Sequence, residues 1–178
     1  MGDVDYGALF DEHMADEFVL RDVDATMTTM TDDPVVLHVP TSIGGRGVEG
    51  VRDFYAGHFI GTFPDDFAPT PLSRTVGADR LVDEMTISFT HTCEVPIFLP
   101  GIAPTGRQLR FPLVAVVGFT DGKVASEHLY WDQATVLVAA RRWLTARAWC
   151  GASDGARDRA SRQPTARRRP QPAAAGRG

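Results

Sequence analysis

Cysteine is scarce in this chain and badly placed for chemistry. The 178 residues hold two, Cys93 and Cys150, far apart and without CxxC spacing, so neither a thiolate metal clip nor a redox pair is expected. No apolar run approaches the roughly 20 residues that span a bilayer. The opening Met1-Gly2-Asp3-Val4-Asp5-Tyr6 has neither the basic nor the apolar region of a secretory signal. A cytoplasmic protein that touches no membrane is the expectation. Also missing are a P-loop and an HExxH pair. The missing P-loop argues against phosphoryl transfer. His13, His38, His58, His91 and His128 follow no metal-ligand spacing, and no metal is expected.

What is present divides in two. The net charge of -5 conceals ten arginines against two aspartates after residue 139. Residues 140–178 therefore carry +8 and the body carries -13. An acidic body does not attract nucleic acid. The tail is Arg, Ala, Gly, Pro and Ser with almost no large apolar side chain from 151 onwards, a composition that cannot offset the entropy of ordering, and it is expected to be largely disordered. A single domain over residues 1–139 has enough apolar residues for a real core.

Within the body, helix periodicity comes first. Phe10, Met14 and Phe18 recur at i, i+4, i+8. Asp22 can cap a second helix through Val23, Met27 and Met30, which Asp32-Asp33-Pro34 ends. Val35 to Val39 reads as a short strand, Ile43-Gly44-Gly45-Arg46-Gly47 as a flexible loop, and Val48, Val51, Tyr55 and Phe59 as the stripe of a third helix. Strand periodicity follows. Met85, Ile87, Phe89, His91 and Cys93 share one face of 80–95, residues 108–119 form a nearly continuous apolar strand, and Asp121-Gly122 is a strong hairpin turn into a last strand from Val124 to about Val138. Helices first and an antiparallel meander second make an α+β fold, a curved sheet around three N-terminal helices with an apolar pocket at its concave face.

The chemistry-bearing stretch is Glu127-His128-Leu129-Tyr130-Trp131-Asp132-Gln133. Alternation puts His128, Tyr130 and Asp132 on one face and Glu127, Leu129, Trp131 and Gln133 on the other. An imidazole, a phenol and a carboxylate among apolar residues are costly unless they pair or react. The same pattern also describes an exposed polar face.

Taken in order, these residues resemble the SnoaL-like polyketide cyclases of the nuclear transport factor two-like superfamily. The resemblance is carried by Asp22-Val23-Asp24-Ala25, Asp33-Pro34-Val35-Val36, the Gly47-to-Phe59 helix, Asp83-Glu84-Met85, Phe89-Thr90-His91-Thr92, the Pro100-to-Arg107 loop, Asp121-Gly122-Lys123 and the closing Glu127-to-Asp132. It runs from Phe10 to about Val138. It implies a cone-shaped barrel binding small apolar or aromatic carbonyl compounds. It further implies cofactor-free general acid/base chemistry next to a carbonyl, as in aldol closure, isomerisation or dehydration. By that resemblance Asp132 is the catalytic carboxylate with His128 and His91 beside it, and Tyr130, Tyr55, Phe89 and His38 contact the substrate. A homodimer through the convex face, using Trp131 and Leu129, is also expected. The alternative is a non-catalytic binding or dimerisation module on the same cone, because fold does not settle function. A pocket-facing Asp132 favours the enzyme; one that points to solvent favours the module.

Overall fold

The structure, a computed structural model, describes residues 4–141. Helix α1, Tyr6–Ala15, begins where the Asp5 carboxylate accepts a hydrogen bond from the Ala8 amide at 3.0 Å, satisfying one of the orphan N–H groups of a first turn. It runs on into a wider π-helical turn, Asp16–Leu20. Asp22 caps α2, Val23–Thr28, by accepting from the amides of Asp24 and Ala25. Helix α3, Gly47–Phe54, also continues into a π-helical turn, Tyr55–Phe59. Helix α4, Gln133–Arg141, closes the described chain, two residues past the expected boundary at 139. Trp143, Trp149 and the expected disordered tail lie outside the described residues.

Strands β1 (Met30–His38), β2 (Ile43–Arg46), β3 (Ala68–Val76), β4 (Arg80–Thr90), β5 (Gln108–Thr120) and β6 (Lys123–Trp131) form one curved, unclosed sheet in the order β2-β1-β6-β5-β4-β3. The α+β class and the wrapped sheet agree with the sequence reading. Several details do not. Strand β1 starts at Met30, five residues early, because Met30 pairs with Val124 across a register shift that contains Pro34; a residue without an N–H is tolerated at such an irregularity. The pair β1–β6 is parallel, so the sheet is mixed. The chain leaves β1, builds the far edge and returns beside its first strand. The Gly44-Gly45 segment is strand β2 rather than a loop. Its glycine is needed: a Cβ on Gly45 would lie 2.2 Å from the Gly50 carbonyl oxygen, so α3 can close against the strand only there.

The core lies between the concave face and the helices. Leu81, Ile87 and Phe89 of β4, and Leu109, Phe111, Leu113, Ala115 and Val117 of β5, are buried at every second position against Phe10 of α1 and Val51 and Phe54 of α3. Full burial of each large side chain is worth about 1.5–3 kcal/mol. The Asp121-Gly122 turn forms as expected, with both residues at positive φ and Thr120 opposite Lys123.

Strand β6 decides the site. Gly118 pairs with Ser126 and Phe119 with Val124, leaving Ala125 as an extra residue. Such a bulge exchanges the two faces of the strand beyond it. Val124 and Glu127, an odd number of residues apart, both point inward and are buried, as is Trp131. The strand ends at Trp131, not near Val138, because Asp132 starts helix α4.

Candidate functional site

A cavity opens among the concave face of the sheet, α1 and the two π-helical turns. It encloses about 520 Å³ with its open mouth. Most of the lining is apolar, with Phe18, Phe54, Phe59, Phe63, Phe67 and Phe98 prominent. The polar lining is Glu17, His38, Tyr55 and Glu127. Glu17 belongs to the first π-helical turn and Tyr55 opens the second, and such local widenings of a helix often mark functional positions.

His13, fully buried on α1, organises the floor. The Thr29 hydroxyl donates to the Thr26 carbonyl at 2.7 Å, so it can only accept from His13 Nδ1, 2.6 Å away. Nδ1 therefore carries a hydrogen. On the other side, Nε2 lies 2.8 Å from Glu127 Oε1 and 3.3 Å from Glu17 Oε1, acceptors that require a second hydrogen there. The ring is an imidazolium. Burial alone would discharge it, but Glu127 and then Glu17 outweigh burial and push its pKa up to about 10.

The two carboxyls are pushed in opposite directions. Burial works to raise Glu127, yet the His13 charge and hydrogen bonds from His13 and Tyr55 bring it below the ordinary carboxylate value. Burial also raises Glu17, and there the more distant His13 charge does not compensate, so it stays raised. Raising one carboxyl and lowering the other lessens the net negative charge that two carboxylates beside one imidazolium would bury in an apolar floor. Tyr55 donates to Glu127 Oε1 at 3.0 Å. Burial, reinforced by both carboxyls, pushes its phenol well above its usual value. Glu127 Oε2 takes no hydrogen bond from the described residues.

Donor atoms of His13, Glu17 and Glu127 lie within 4.8 Å of one another, the spacing of a cation site. The hydrogen bonds above place a proton on His13 Nε2, so the ring as it stands offers a metal no lone pair.

The remaining sequence candidates fall in different places. His38 lines the cavity, its ring packed on Phe54, Phe59 and Trp131 at centroid distances of 5.4, 5.9 and 5.9 Å. Tyr55 is at the centre of the floor cluster. Phe89 is buried in the aromatic core beside Phe67, Phe98 and Phe111 rather than on the cavity wall. His91 is buried at the end of β4, where Nδ1 accepts from the Thr105 amide at 3.3 Å, tying down the loop between β4 and β5. Burial lowers its pKa.

Asp132 stands outside the cavity, exposed. Its carboxylate accepts from the Ala134 amide at 2.9 Å and the Thr135 hydroxyl at 2.6 Å, capping α4, and the Thr135 hydroxyl chiefly holds its pKa below the ordinary value. His128 and Tyr130 lie on the same outward side, opposite Val116 and Val114. The bulge at Ala125 is the physical reason. It turns Glu127, Leu129 and Trp131 inward, so Trp131 and Leu129 are not free to form a convex-face dimer contact. Trp131 instead donates to Gln133 Oε1 at 2.6 Å, and Gln133 donates to the Phe98 carbonyl at 2.9 Å, fastening the segment after β4 over the cavity.

His13 and Glu17 escaped the sequence reading, and Glu127 was placed on the outer face. A signal existed. His13 and Glu17 sit at i+3 and i+7 from Phe10, inside the apolar stripe of α1, where polar residues are costly unless paired.

An α+β arrangement with a curved, unclosed sheet packed against helices is the fold of the nuclear transport factor two-like class. The family model described as SnoaL-like domain matches residues 11–127, and the chain belongs to that family. No curated protein sequence matches it. Among solved structures it is similar to a candidate SnoaL-like polyketide cyclase from Jannaschia sp. CCS1, at 24% identity over 74% of this chain and 85% of that one, TM-score 0.57. It is similar also to AclR, a candidate hydroxylase from Streptomyces galilaeus, at 22% identity over 79% and 98%, TM-score 0.59. A third is a protein with a ketosteroid isomerase-like fold from Catenulispora acidiphila DSM 44928 in complex with trimethylamine, at 13% identity over 75% and 92%, TM-score 0.56. At these identities the likeness concerns the fold.

Proposed function

We propose that the protein is a small-molecule enzyme in which Glu17 exchanges a proton with a bound carbonyl compound. Polyketide-like ring closure, isomerisation and dehydration all begin with that step. The supporting observation is the pair of carboxyls on one imidazolium with pKa values driven apart, the arrangement that separates acid from base roles. Glu17 has the raised pKa, which brings a carboxyl towards the operating pH where proton transfer is most effective. Glu127 stays ionised and keeps His13 charged, while Tyr55 fixes Glu127. Apolar walls exclude water and suit a flat aromatic or polyketide-like ligand.

Deuterium incorporation next to the carbonyl of 2-tetralone in D2O, followed by NMR, tests the reading. The wild type accelerates exchange. Glu17→Gln loses about 10²- to 10⁴-fold of that acceleration, the usual contribution of a positioned proton-transfer group. Asp132→Asn keeps it, being outside the cavity. An inert wild type, or full acceleration in Glu17→Gln, ends the acid/base assignment. The second reading, a non-catalytic binding module, is favoured by the solvent-facing Asp132 and predicts tetralone binding without exchange.

A further inference from the structure

We propose that His38 is the specificity-determining residue of the cavity, its Nε2 accepting a hydrogen bond from a hydroxyl of the bound molecule. The cavity then selects planar compounds that carry a phenol, enol or alcohol O–H over the corresponding ethers. This deepens the reading of the cavity as a substrate site and rests on it.

The argument starts from the ring's tautomer. Nδ1 of His38 lies 3.2 Å from the Ile43 carbonyl oxygen, which can only accept, so Nδ1 carries the hydrogen. Packing among Phe54, Phe59 and Trp131 keeps the ring neutral, and burial takes its pKa down to about 4 despite the nearby Glu127 charge. A neutral ring with Nδ1–H has a bare lone pair on Nε2. That atom is buried and has no hydrogen-bond partner among the described residues, a costly state for a polar atom in an apolar setting.

Its surroundings are rigid. His38 ends β1, and its carbonyl accepts from the amides of Thr41 and Ser42 at 3.2 and 2.8 Å in the tight connection to β2. The Thr41 hydroxyl donates to the Ile97 carbonyl at 3.0 Å. The ring therefore cannot readily turn to find a partner within the protein. On the floor Tyr55 is committed to Glu127, and Glu127 and Glu17 each turn Oε1 to His13; Glu127 Oε2 is the rival acceptor, and the His38→Phe variant below tells it from His38. Nε2 of His91 also lacks a partner among the described residues, but His91 is not part of the cavity lining, whereas His38 is.

Calorimetric titration of the full chain with 2-naphthol and 2-methoxynaphthalene tests the proposal. The wild type should prefer the naphthol by about tenfold or more, because the ether oxygen has no hydrogen to give. His38→Phe should bring the ratio close to one. His38→Gln, whose amide oxygen can accept, should keep a clear preference. In protein labelled with ¹⁵N-histidine, the His38 Nε2 resonance should shift with naphthol and not with the ether, a readout independent of whether a variant folds. Equal affinities in the wild type, no naphthol binding, an unmoved Nε2 resonance, or a ratio that survives in His38→Phe would each overturn the assignment. Glu17→Gln separates this from the catalytic reading. There the naphthol preference should persist while exchange is lost. A preference that disappears in Glu17→Gln instead would put the hydroxyl on Glu17 and refute the role of His38.

Discussion

His13 shows how few contacts are needed to fix a protonation state. Two geometric facts settle the ring: a threonine hydroxyl whose proton is already committed, and a carboxylate at 2.8 Å. Removing the ring should be severe. His13→Gln would leave Glu127 buried without its cation, and stripping one partner from a buried pair costs about 3–5 kcal/mol. Chemical denaturation should show that loss at neutral pH. Recovery in a His13→Gln, Glu127→Gln double variant would identify the orphaned charge as its cause. If the single variant costs less than about 1 kcal/mol, Glu127 has a source of compensation that the cluster does not show. The residue-scale lesson about Asp132 is the reverse. A carboxylate two and three positions before a free amide and a threonine hydroxyl is a helix cap, and the motif Asp132-Gln133-Ala134-Thr135 carried that signal in the sequence alongside the catalytic one.

At the scale of elements, strand β6 determines the site through one extra residue. Alternation along Glu127 to Gln133 was legible in the sequence and holds in the structure as far as Trp131, where the strand ends. Which of the two faces looks inward was not legible, because it depends on a bulge whose partner lies in β5. The bulge has a specific companion: a Cβ on Gly118 would lie 2.6 Å from Ser126 Oγ. Gly118→Ala should therefore destabilise by about 1–3 kcal/mol, the usual range for overpacking. Ser126→Ala should relieve most of it, since the Ser126 Cβ would be 3.9 Å away. Thermal melts of the two single variants and the pair test this. Additive losses would mean that the backbone, not the hydroxyl, is the obstacle. The parallel β1–β6 pairing was missed for a related reason. The pattern of each strand shows that it is a strand, but the return of β6 beside β1 is set by contacts far apart in the chain.

The whole molecule should report the buried cluster in its response to pH. His13 has a folded pKa raised from 6.5 to about 10, so its contribution is complete below pH 6.5 and is lost as pH rises towards 10. Glu17, also raised, adds loss on the alkaline side from its ordinary value of 4.5 upward. His38, lowered to about 4, acts oppositely: below pH 6.5 the unfolded chain takes up a proton that the folded ring refuses. Glu127, lowered from 4.5, contributes stability that disappears as pH falls below that value. Between about pH 4.5 and 6.5 the slopes of Glu17 and His38 oppose each other. Stability should thus be broad there and decline on both sides, by at most about 1.4 kcal/mol per pH unit for each group. Melting temperatures from pH 4 to 10 measure it, and His13→Gln should flatten the alkaline limb. A wild-type profile that is level from pH 6.5 to 9.5 would show that His13 is not held as a cation.

Local order was readable from the sequence alone. Apolar spacing, Asp22 ahead of a helix, and Asp121-Gly122 between strands each act over a few residues, and helix existence, the β4–β5–β6 meander and the α+β class follow from them. So did the resemblance that located the family. Packing decided the site. His13, Glu17, Tyr55 and Glu127 come from α1, its π-helical turn, the turn after α3 and β6, and no local pattern states that they meet. Their protonation states arise only from that meeting, because burial and a shared cation set them.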